Sequence, residues 1–382
     1  MRIAAVEAFP VRLPRDFEAA QGTAGTPNAM VGSGDYRWSK DYPCLYSTHI
    51  ESALVRIRLD TGLTGWGESQ APLAPEVAST IVERLLRPVL EGEEFDGSPE
   101  RIGELWDLMY AAMRVRGQTG GFMLDAIAGV DLALWDLAGK IAGQPVSAIL
   151  AGGARKETVP AYLSGVHGAS LEDRLAVARA AYEDGFRVFK IYLESDYEAL
   201  FALVTGIKAL GPGVDVAVDA LWHLDPAQAQ RVDEHSVLWL ECPLMPEDVP
   251  GHIALSRSIA TPIALGESYR TVWELRPFFE NRVMRYVQPD LGRCGITGSL
   301  RIAREAAALG MSVVPHVSIA LGPQIAAALH FAAASPACGI CEYNPRVLEI
   351  ANRTLPVPIS LDGAAYRVPV QEGLGVEGMG LL

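Results

Sequence analysis

The chain is poor in cysteine, and the cysteines it has do not pair by spacing. Among 382 residues there are five, an odd number, and they are scattered: Cys44, Cys242, Cys294, Cys338 and Cys341. This is not the pattern of a disulfide-stabilised secreted domain. Cys338 and Cys341 form a C-x-x-C motif, which suits a redox or zinc site. Because no second cysteine pair completes a metal site, we interpret them as small residues of a buried strand.

Basic runs and long apolar runs are also missing. The net charge is −14 and no stretch is rich in lysine and arginine, so nucleic acid is not an expected partner. No run of about 20 apolar residues predicts a membrane span, and the N-terminal "MRIAAVEAFPVRL" is too short and too charged for a signal peptide. We therefore expect a cytoplasmic protein with a small-molecule partner. An anionic substrate would need a local cation to offset the net charge.

The length and the pattern predict two units, because a single core seldom grows beyond about 250–300 residues. Strand-like runs at 2–13 and 51–60 flank a segment rich in Gly, Pro, Ser and Thr at 19–48, which predicts a long loop. A glycine-containing hairpin turn and helical patterns at 75–91 and 98–114 follow. We predict an α+β capping domain over residues 1–120, completed by a C-terminal tail from about 360 to 382.

The remaining sequence alternates between strand and helix patterns. After a long apolar helix that begins near 121, eight strand-like segments occur, from "TVPAYLSG" at 158–165 to "CGICEYN" at 338–344. Such alternation predicts an α/β fold with a closed parallel barrel over residues 121–359. The sequence from about 345 is rich in Gly and Pro and predicts no long helix after the last strand.

Ionisable residues stand at the ends of these strands, at steps of 22 to 29 residues, which is the length of one β/α unit. They are Lys190 with Tyr192, then Asp219, Glu241, Glu267, Asp290, His316 and Glu342. The carboxyl ends of barrel strands meet at one mouth, where barrel enzymes hold their active sites. We therefore expect all of these side chains to face one site.

Three consecutive strands end in the carboxylates Asp219, Glu241 and Glu267. Carboxylates in such proximity resist ionisation unless a cation is present, and a set of oxygen ligands favours Mg²⁺ first and Mn²⁺ second. Such a metal would stabilise the enediolate that forms when a proton leaves the carbon next to a carboxylate. The alternative is that the three carboxylates cap helices or pair with surface arginines.

The neighbouring strand ends carry a candidate proton-transfer pair. Asp290 can orient the His316 imidazole and raise its pKa, which makes a general acid or base. Lys190 can help to stabilise an enediolate, and Tyr192 can act as a base if Lys190 and the metal lower its pKa. Alternatively, Tyr192 is a hydrogen-bonded barrel residue.

Taken together, these segments resemble the mandelate racemase/muconate lactonizing group of the enolase superfamily. The matching segments are "GLTGWGES", "AIAGVDLALWDLAGKIAGQPV", "FKIY", "VDALW", "WLECPLMPED", "IALGESYRT", "VQPDLGRCGIT" and "VVPHVS". The resemblance covers nearly the whole chain. It implies an α+β capping domain over a modified (β/α)7β barrel, Mg²⁺ on the three carboxylates, and a His316–Asp290 dyad. It also implies that Glu342 is a carboxylic acid that hydrogen-bonds the enediolate.

The sequence departs from that group at two strand ends. The usual Lys-x-Lys reads Lys190-Ile191-Tyr192, which removes the second lysine base and speaks against a two-base racemase. Leu221 stands where the group has Asn in Asp-x-Asn, and Trp222 and His223 follow. These features look most like dehydratases of hexarate-type sugar acids, with galactarate favoured. An epimerase or a lactone cycloisomerase on the same scaffold is the first alternative, and a non-catalytic metal-binding protein the second.

Four residues are candidates for substrate binding. Arg270 lies three residues after Glu267 and could bind a distal carboxylate, unless it forms a surface salt bridge. His223 follows the third strand and is either a substrate contact or a loop residue. Tyr46 and His49, with Arg37 and Trp38 nearby, lie in or beside the long N-terminal loop, which in this family closes over the substrate. We also expect a homo-oligomer.

Overall fold

The first part of the chain forms an antiparallel sheet. The computed structural model describes residues 1–15, 30–40, 43–194 and 196–376. In this sheet β1 (Ile3–Pro14), β5 (His49–Leu59) and β6 (Thr64–Ser69) are paired in the order β1-β5-β6. The turn between β5 and β6 needs Gly62, whose φ of 89° lies in the left-handed region. The predicted strands and hairpin are therefore confirmed.

The predicted long loop at 19–48 contains a second sheet, so the loop prediction was wrong for its second half. Strands β2 (Met30–Val31), β3 (Tyr36–Ser39) and β4 (Leu45–Ser47) pair in sequence order, while residues 16–29, 41 and 42 lie outside the described residues. The strands are only two to four residues long, too short for a period of two to be recognised. Buried Glu51 of β5 holds this sheet by accepting hydrogen bonds from Ser47 Oγ (2.5 Å) and Tyr36 Oη (3.1 Å).

Helices cover the first sheet and connect it to the barrel. They are α1 (Pro75–Ile81), a π-helical turn (Val82–Leu86), α2 (Arg87–Leu90), α3 (Pro99–Arg114), α4 (Phe122–Ala142) and α5 (Val146–Ala151). Helix α4 is buried along most of its length. Strand β6 packs directly on it, because a Cβ on Gly67 would lie 2.0 Å from the Gly129 carbonyl oxygen. On the barrel side, Trp135 Nε1 donates to Thr297 Oγ1 (3.0 Å).

Eight parallel strands form the barrel that the sequence predicts. They are β7 (Thr158–Ser164), β8 (Val188–Tyr192), β9 (Asp215–Asp219), β10 (Leu240–Glu241), β11 (Ile263–Leu265), β12 (Tyr286–Val287), β13 (Ser312–Val313) and β14 (Cys341–Tyr343). Strands β7 to β13 pair in sequence order, and β14 pairs with β7. A parallel bridge from Val313 to Cys338 completes the circle. The architecture is α/β, a capping domain on a barrel.

A helix follows each of these strands. They are α6 (Leu171–Glu183), α7 (Tyr197–Lys208), α8 (Pro226–Asp233), α9 (Val249–Ser256), α10 (Val272–Glu280), α11 (Leu291–Ala308), α12 (Pro323–Ala334) and α13 (Pro345–Thr354). Helix α13, of ten residues, follows the last strand, after which the sequence predicted no long helix. Its strong amphipathic pattern is confined to ten residues between prolines, within the Gly- and Pro-rich tail.

The tail returns along the barrel and reaches the capping side. Strands β15 (Leu361–Asp362) and β16 (Ala365–Arg367) form a hairpin, and β16 pairs antiparallel with β7. Further on, the Leu374 amide donates to Asp136 of α4 (2.7 Å). Residues 377–382 lie outside the described residues. Cys338 and Cys341 are both fully buried with free thiols, as their interpretation as core residues predicts.

A layer of side chains inside the barrel forms the floor of the site. Its members are Tyr162, Ala217, Trp239, Ala264 and Val314, all buried. The rings of Tyr162 and Trp239 meet edge to face with their centroids 5.4 Å apart. Alternate residues of a strand face the same side, so the positions two residues further along face inward at the next level. Four of these positions are Ser164, Asp219, Glu241 and His316.

Candidate active site at the carboxyl mouth of the barrel

The three predicted metal ligands come together at the mouth. Asp219 and Glu241 are the last residues of β9 and β10, and Glu267 follows β11 by two residues. One carboxylate oxygen from each lies within 4.8 Å of the other two. Asp219 and Glu241 are buried, and Glu267 is half-buried. Register explains the first two, since Asp219 and Glu241 are paired across β9 and β10.

Neighbouring donors fix one oxygen of each carboxylate. Glu241 Oε2 accepts hydrogen bonds from Gln288 Nε2 (2.7 Å) and Trp239 Nε1 (2.9 Å). Glu267 Oε1 accepts from Trp222 Nε1 (3.1 Å), and Asp219 Oδ1 accepts from the Leu221 amide (3.0 Å). Each carboxylate therefore keeps its second oxygen for the centre of the site. Such outer contacts orient metal ligands.

The sequence analysis did not find these orienting side chains, although a signal existed for two of them. Trp239 and Gln288 stand two residues before Glu241 and Asp290. Alternation within a strand turns both toward the barrel interior, as it does the strand-end residues. Trp222 carried no such signal, because it lies in a turn. Leu221 and Trp222 have φ values of 52° and 64°, a left-handed conformation that is unfavourable for side chains of this size.

Lys190 occupies the centre of the cluster. Its Nζ lies 2.7 Å from Glu241 Oε1, 2.9 Å from Glu342 Oε1 and 3.4 Å from Asp219 Oδ2. The side chain is only 1% exposed. Burial by itself lowers the pKa of Lys190, but the charges of Glu241 and Glu342 outweigh burial and raise that pKa well above its ordinary value. Lys190 is therefore a permanent cation at the floor of the site.

Glu342 is a carboxylate in this arrangement. Burial raises its pKa, but the charges of Lys190 and His316 outweigh burial and lower the pKa of Glu342 to about 2. Its Oε2 also accepts from the Val317 amide (3.0 Å). The expectation of a protonated Glu342 that donates to an enediolate therefore disagrees with the electrostatics, because the neighbouring ammonium stabilises the ionised form.

His316 and Asp290 form the dyad that the spacing predicts. The imidazole Nδ1 lies 2.8 Å from Asp290 Oδ2, and Nε2 lies 3.2 Å from Glu267 Oε2. Burial lowers the pKa of His316, but the charges of Glu267 and Glu342 and the contact with Asp290 raise it to about 9. The dyad thus joins the carboxylate cluster directly, with the second ring nitrogen toward the centre.

Tyr192 lies beside this cluster but has the opposite electrostatics to those expected of a base. Its Oη is hydrogen-bonded to Ser164 Oγ (3.0 Å), and Lys190 Nζ lies 5.7 Å from its ring centroid. Burial raises the pKa of Tyr192 more than the charge of Lys190 lowers it. The phenol is therefore neutral here.

The charges of this site call for a further cation. Among the described residues, five carboxylates, those of the three candidate ligands with Asp290 and Glu342, have ion pairs within the site only with Lys190 and His316. Burial and the nearby Glu241 raise the pKa of Asp219 well above its ordinary value. Hard oxygen ligands with a deficit of positive charge suit a divalent cation such as Mg²⁺. Asp219, Glu241 and Glu267 are the residues that would hold it.

The candidate substrate-binding residues are placed less favourably. Arg270 forms a two-pronged ion pair with buried Asp125 of α4, with Nε–Oδ1 at 2.9 Å and Nη2–Oδ2 at 3.1 Å, and Nη1 donates to the Ser268 carbonyl (2.7 Å). The guanidinium is thus used within the protein, and a role in binding a distal carboxylate has no support in this geometry.

The other three remain predictions. His223 directs Nδ1 to the carbonyl oxygen of Leu221 in the turn after β9. Tyr46 lies on β4, opposite Arg37 of β3. His49 is the first residue of β5, with Nδ1 3.2 Å from Thr48 Oγ1.

The described ranges include no helix with the length and apolar character to cross a membrane.

Comparisons with known proteins agree with this fold. Residues 173–379 match the sequence model of the enolase C-terminal domain-like family, and residues 44–151 match that of the mandelate racemase/muconate lactonizing enzyme N-terminal domain. A D-galactarolactone cycloisomerase of Agrobacterium fabrum is 30% identical over 345 residues, 85% of this chain and 88% of that protein. An arabinonate dehydratase of Saccharolobus solfataricus is also 30% identical, over 85% of this chain and 88% of the relative.

The fold of the whole chain also has a close counterpart. A crystal structure of an enolase superfamily member from Agrobacterium tumefaciens superposes with a TM-score of 0.91 at 31% identity, covering 98% of this chain and 96% of the other. Relatives with sugar-acid dehydratase and cycloisomerase names support enolase-type chemistry on a sugar acid. The chain belongs to the mandelate racemase/muconate lactonizing enzyme group of the enolase superfamily.

Proposed function

We propose that the protein is a Mg²⁺-dependent sugar-acid dehydratase that removes the proton next to a carboxylate and eliminates the β-hydroxyl as water. One observation carries the proposal: the Nε2 atom of the His316–Asp290 dyad faces the carboxylate cluster, 3.2 Å from Glu267 Oε2. A proton-transfer group and a cation site therefore share one small space. α-Proton abstraction requires both.

The cation, when bound, would supply positive charge that stabilises the enediolate formed from the substrate carboxylate. His316 Nε2 accepts the α-proton while Asp290 holds the proton on Nδ1. Charge compensation at Glu267 removes one of the three carboxylate charges that raise the pKa of His316, and so favours the neutral imidazole that a base requires. Lys190 stabilises the new negative charge with its ammonium group.

Elimination completes the reaction without another reactant. The electron pair of the enediolate forms the C=C bond, and the C–O bond to the β-hydroxyl breaks. The imidazolium of His316 gives its proton to the departing hydroxyl, which leaves as water. The enol then tautomerises to a 2-keto-3-deoxy acid. Tyr192, which is neutral here because burial raises its pKa, acts as a hydrogen-bond donor in this scheme. In the alternative scheme Tyr192 is the base and His316 the acid.

The finer proposal is that the substrate is a hexarate, with galactarate favoured. Its support is the relative named for a lactone of galactarate. Against it stands Arg270, whose guanidinium is bound to Asp125 and not to the mouth. The same relative makes lactone cycloisomerisation the second candidate function, since that reaction can use the same cation site and dyad without loss of water.

A paired assay distinguishes the two. The purified protein with Mg²⁺ is incubated with galactarate, galactonate, arabinonate and galactarolactone. Keto acid is trapped with semicarbazide, and exchange at the α-carbon is followed by proton NMR in D₂O. Dehydration gives a keto product that His316→Asn abolishes. Consumption of the galactarolactone with no keto product from the three open-chain acids would favour the cycloisomerase. The absence of both keto product and exchange with every compound of the series would contradict both.

A further inference from the structure

A short segment of the capping domain, Glu68–Gln70, contacts the loop that follows His316 and the first turn of α11, which follows Asp290. It begins with the last two residues of strand β6, directly after Gly67, which packs against α4. Glu68 is fully buried, and no proton-transfer step described above uses it. Its Oε1 accepts a hydrogen bond from Ser52 Oγ of the neighbouring strand β5 (2.7 Å), and its other hydrogen bonds cross to the barrel. What such a buried carboxylate holds is shown by its hydrogen bonds.

Glu68 closes the amino end of helix α12. Its Oε1 accepts from the Leu321 amide (2.6 Å), and its Oε2 accepts from the amides of Gly322 and Gln324 (3.2 Å each). Residue 323 is a proline and has no amide hydrogen. Glu68 therefore accepts every backbone N–H from 321 to 324. A carboxylate at this end of a helix also interacts favourably with the helix dipole.

The same helix end is one boundary of the loop that carries His316. Only residues 317–322 separate His316 from α12. The loop is held at its start, where the Val317 amide donates to Glu342 (3.0 Å), and in its middle, where Gln324 Nε2 donates to the Ile319 carbonyl (2.7 Å). Glu68 fixes its far end. The capping domain thus determines where this loop ends.

Gln70 makes the corresponding contact on the Asp290 side. The backbone N–H of Gln70 donates to the Gly292 carbonyl (2.8 Å), and the backbone N–H of Gly292 donates to Asp290 Oδ1 (2.8 Å). Gln70 Oε1 also accepts from Gln324 Nε2 (3.2 Å). The contact is tight, because a Cβ on Gly292 would lie 1.8 Å from Gln324 Oε1 and 3.1 Å from Gln70 Cβ. One segment of the cap therefore holds both the loop after His316 and the start of α11 after Asp290.

We propose that Glu68, assisted by Gln70, is a positioning residue that sets the distance and angle of the His316–Asp290 dyad relative to the carboxylate cluster. Glu68 acts through the 317–322 loop and Gln70 through Gly292. The expected effect on turnover rests on the function proposed above, whereas the structural role of Glu68 does not depend on it. A misplacement of about 1 Å at a reacting group can cost on the order of a hundredfold in rate.

The test compares Glu68→Gln with Asp131→Asn. Asp131 of α4 is the matched control, since it is another fully buried capping-side carboxylate that accepts a barrel-helix amide, that of Thr297 (2.9 Å). Neither substitution changes the side-chain size, and both exchange one acceptor oxygen for a donor NH₂. Only Glu68→Gln perturbs a loop that leads to His316.

Two readouts are used. Hydrogen exchange with mass spectrometry measures the amides of 317–322, and steady-state kinetics with Mg²⁺ measure turnover of whichever acid of the four-compound series reacts fastest. For Glu68→Gln we expect faster exchange at 317–322 and a kcat lower by at least about tenfold, with KM and Mg²⁺ affinity within about twofold. Asp131→Asn should lower the melting temperature without either effect.

The outcomes separate this proposal from the proposed function. Unchanged exchange at 317–322 in Glu68→Gln overturns the positioning role, whatever the activity. An equal fall in kcat for both variants also overturns it, because the effect would then be general destabilisation. If the wild-type protein turns over none of the four acids, the proposed function fails, and the exchange measurement still decides whether Glu68 holds the loop.

Discussion

Replacement of Trp222 by phenylalanine tests how the site holds its cation. The indole Nε1 donates to Glu267 Oε1 at 3.1 Å, which leaves Oε2 for the centre of the site. Phenylalanine keeps an aromatic ring beside Tyr269 and His252, whose ring centroids lie 6.2 Å from that of Trp222. The left-handed backbone of Trp222 is unfavourable for either side chain. The substitution therefore removes one hydrogen bond and little else.

The expected magnitude follows from the charge of the acceptor. A hydrogen bond to an ionised group contributes about 1.5–3 kcal/mol. Loss of a partner that orients a metal ligand typically weakens metal binding about 10- to 100-fold. The two ranges agree, since a factor of ten corresponds to about 1.4 kcal/mol. We expect Trp222→Phe to weaken Mg²⁺ binding about tenfold or more, because Glu267 becomes free to rotate or to turn both oxygens toward His316.

Isothermal titration calorimetry of the metal-free protein with Mg²⁺ and with Mn²⁺ measures this directly, without any substrate. Trp273→Phe is the control, since Trp273 stands at the start of α10, is 42% exposed and stacks on Tyr110 with their ring centroids 5.1 Å apart. It should bind both ions like the wild type. A Trp222→Phe affinity within twofold of the wild-type value would refute the view that this indole orients Glu267.

Three further predictions concern other contacts. Gln288→Met removes the 2.7 Å donor to Glu241 Oε2, and calorimetry should show Mg²⁺ binding weakened about tenfold or less, because Trp239 still donates to that oxygen. Gly67→Ala places a Cβ 2.0 Å from the Gly129 carbonyl oxygen, so we expect thermal unfolding to show a free energy of unfolding lower by about 1–3 kcal/mol or more. An unchanged melting temperature would contradict this close packing of β6 on α4. Burial raises the pKa of Glu68 to about 7, so between pH 4.5 and 7 the folded state binds more protons than the unfolded state and stability falls as pH rises. Glu68→Gln should remove up to about 3 kcal/mol of this loss in urea titrations at pH 5 and pH 7.5, and an identical pH dependence in both proteins would exclude Glu68 as its source.

The barrel and its strand-end residues could be predicted from the sequence because both follow from strict periods. Alternation with a period of two marked the strands, and the recurrence of β/α units placed Asp219, Glu241 and His316 at one end of the barrel. The distances in the cluster agree with that placement. The strands at 30–47 are only two to four residues long, too short for alternation to be recognised, and there the prediction of a loop was wrong.

The spacing of residues in the sequence predicted where a side chain lies better than it predicted which residue that side chain binds. The distance of Arg270 from Glu267 in the sequence suggested a substrate-binding role at the mouth, but its guanidinium is bound to Asp125. Its partner Asp125 is 145 residues away on α4, and no local pattern connects the two. The protonation states of Tyr192 and Glu342 likewise depend on two opposing effects, burial and the charge of Lys190. Which effect prevails at each residue can be judged only from the positions of the side chains in the structure.

Lys190 explains why these two residues diverge. The same ammonium lies 2.9 Å from Glu342 Oε1 and 5.7 Å from the Tyr192 ring centroid. At the shorter distance its charge outweighs burial and lowers the pKa of Glu342, whereas at the longer one burial prevails and the pKa of Tyr192 is raised. A Coulomb interaction weakens with distance, and the charge of His316 also lowers the pKa of Glu342, so Glu342 is ionised while Tyr192 stays neutral. The charge of His316 depends on whether a cation compensates the charge of Glu267. His316 is therefore the group at this mouth whose proton is best placed to move.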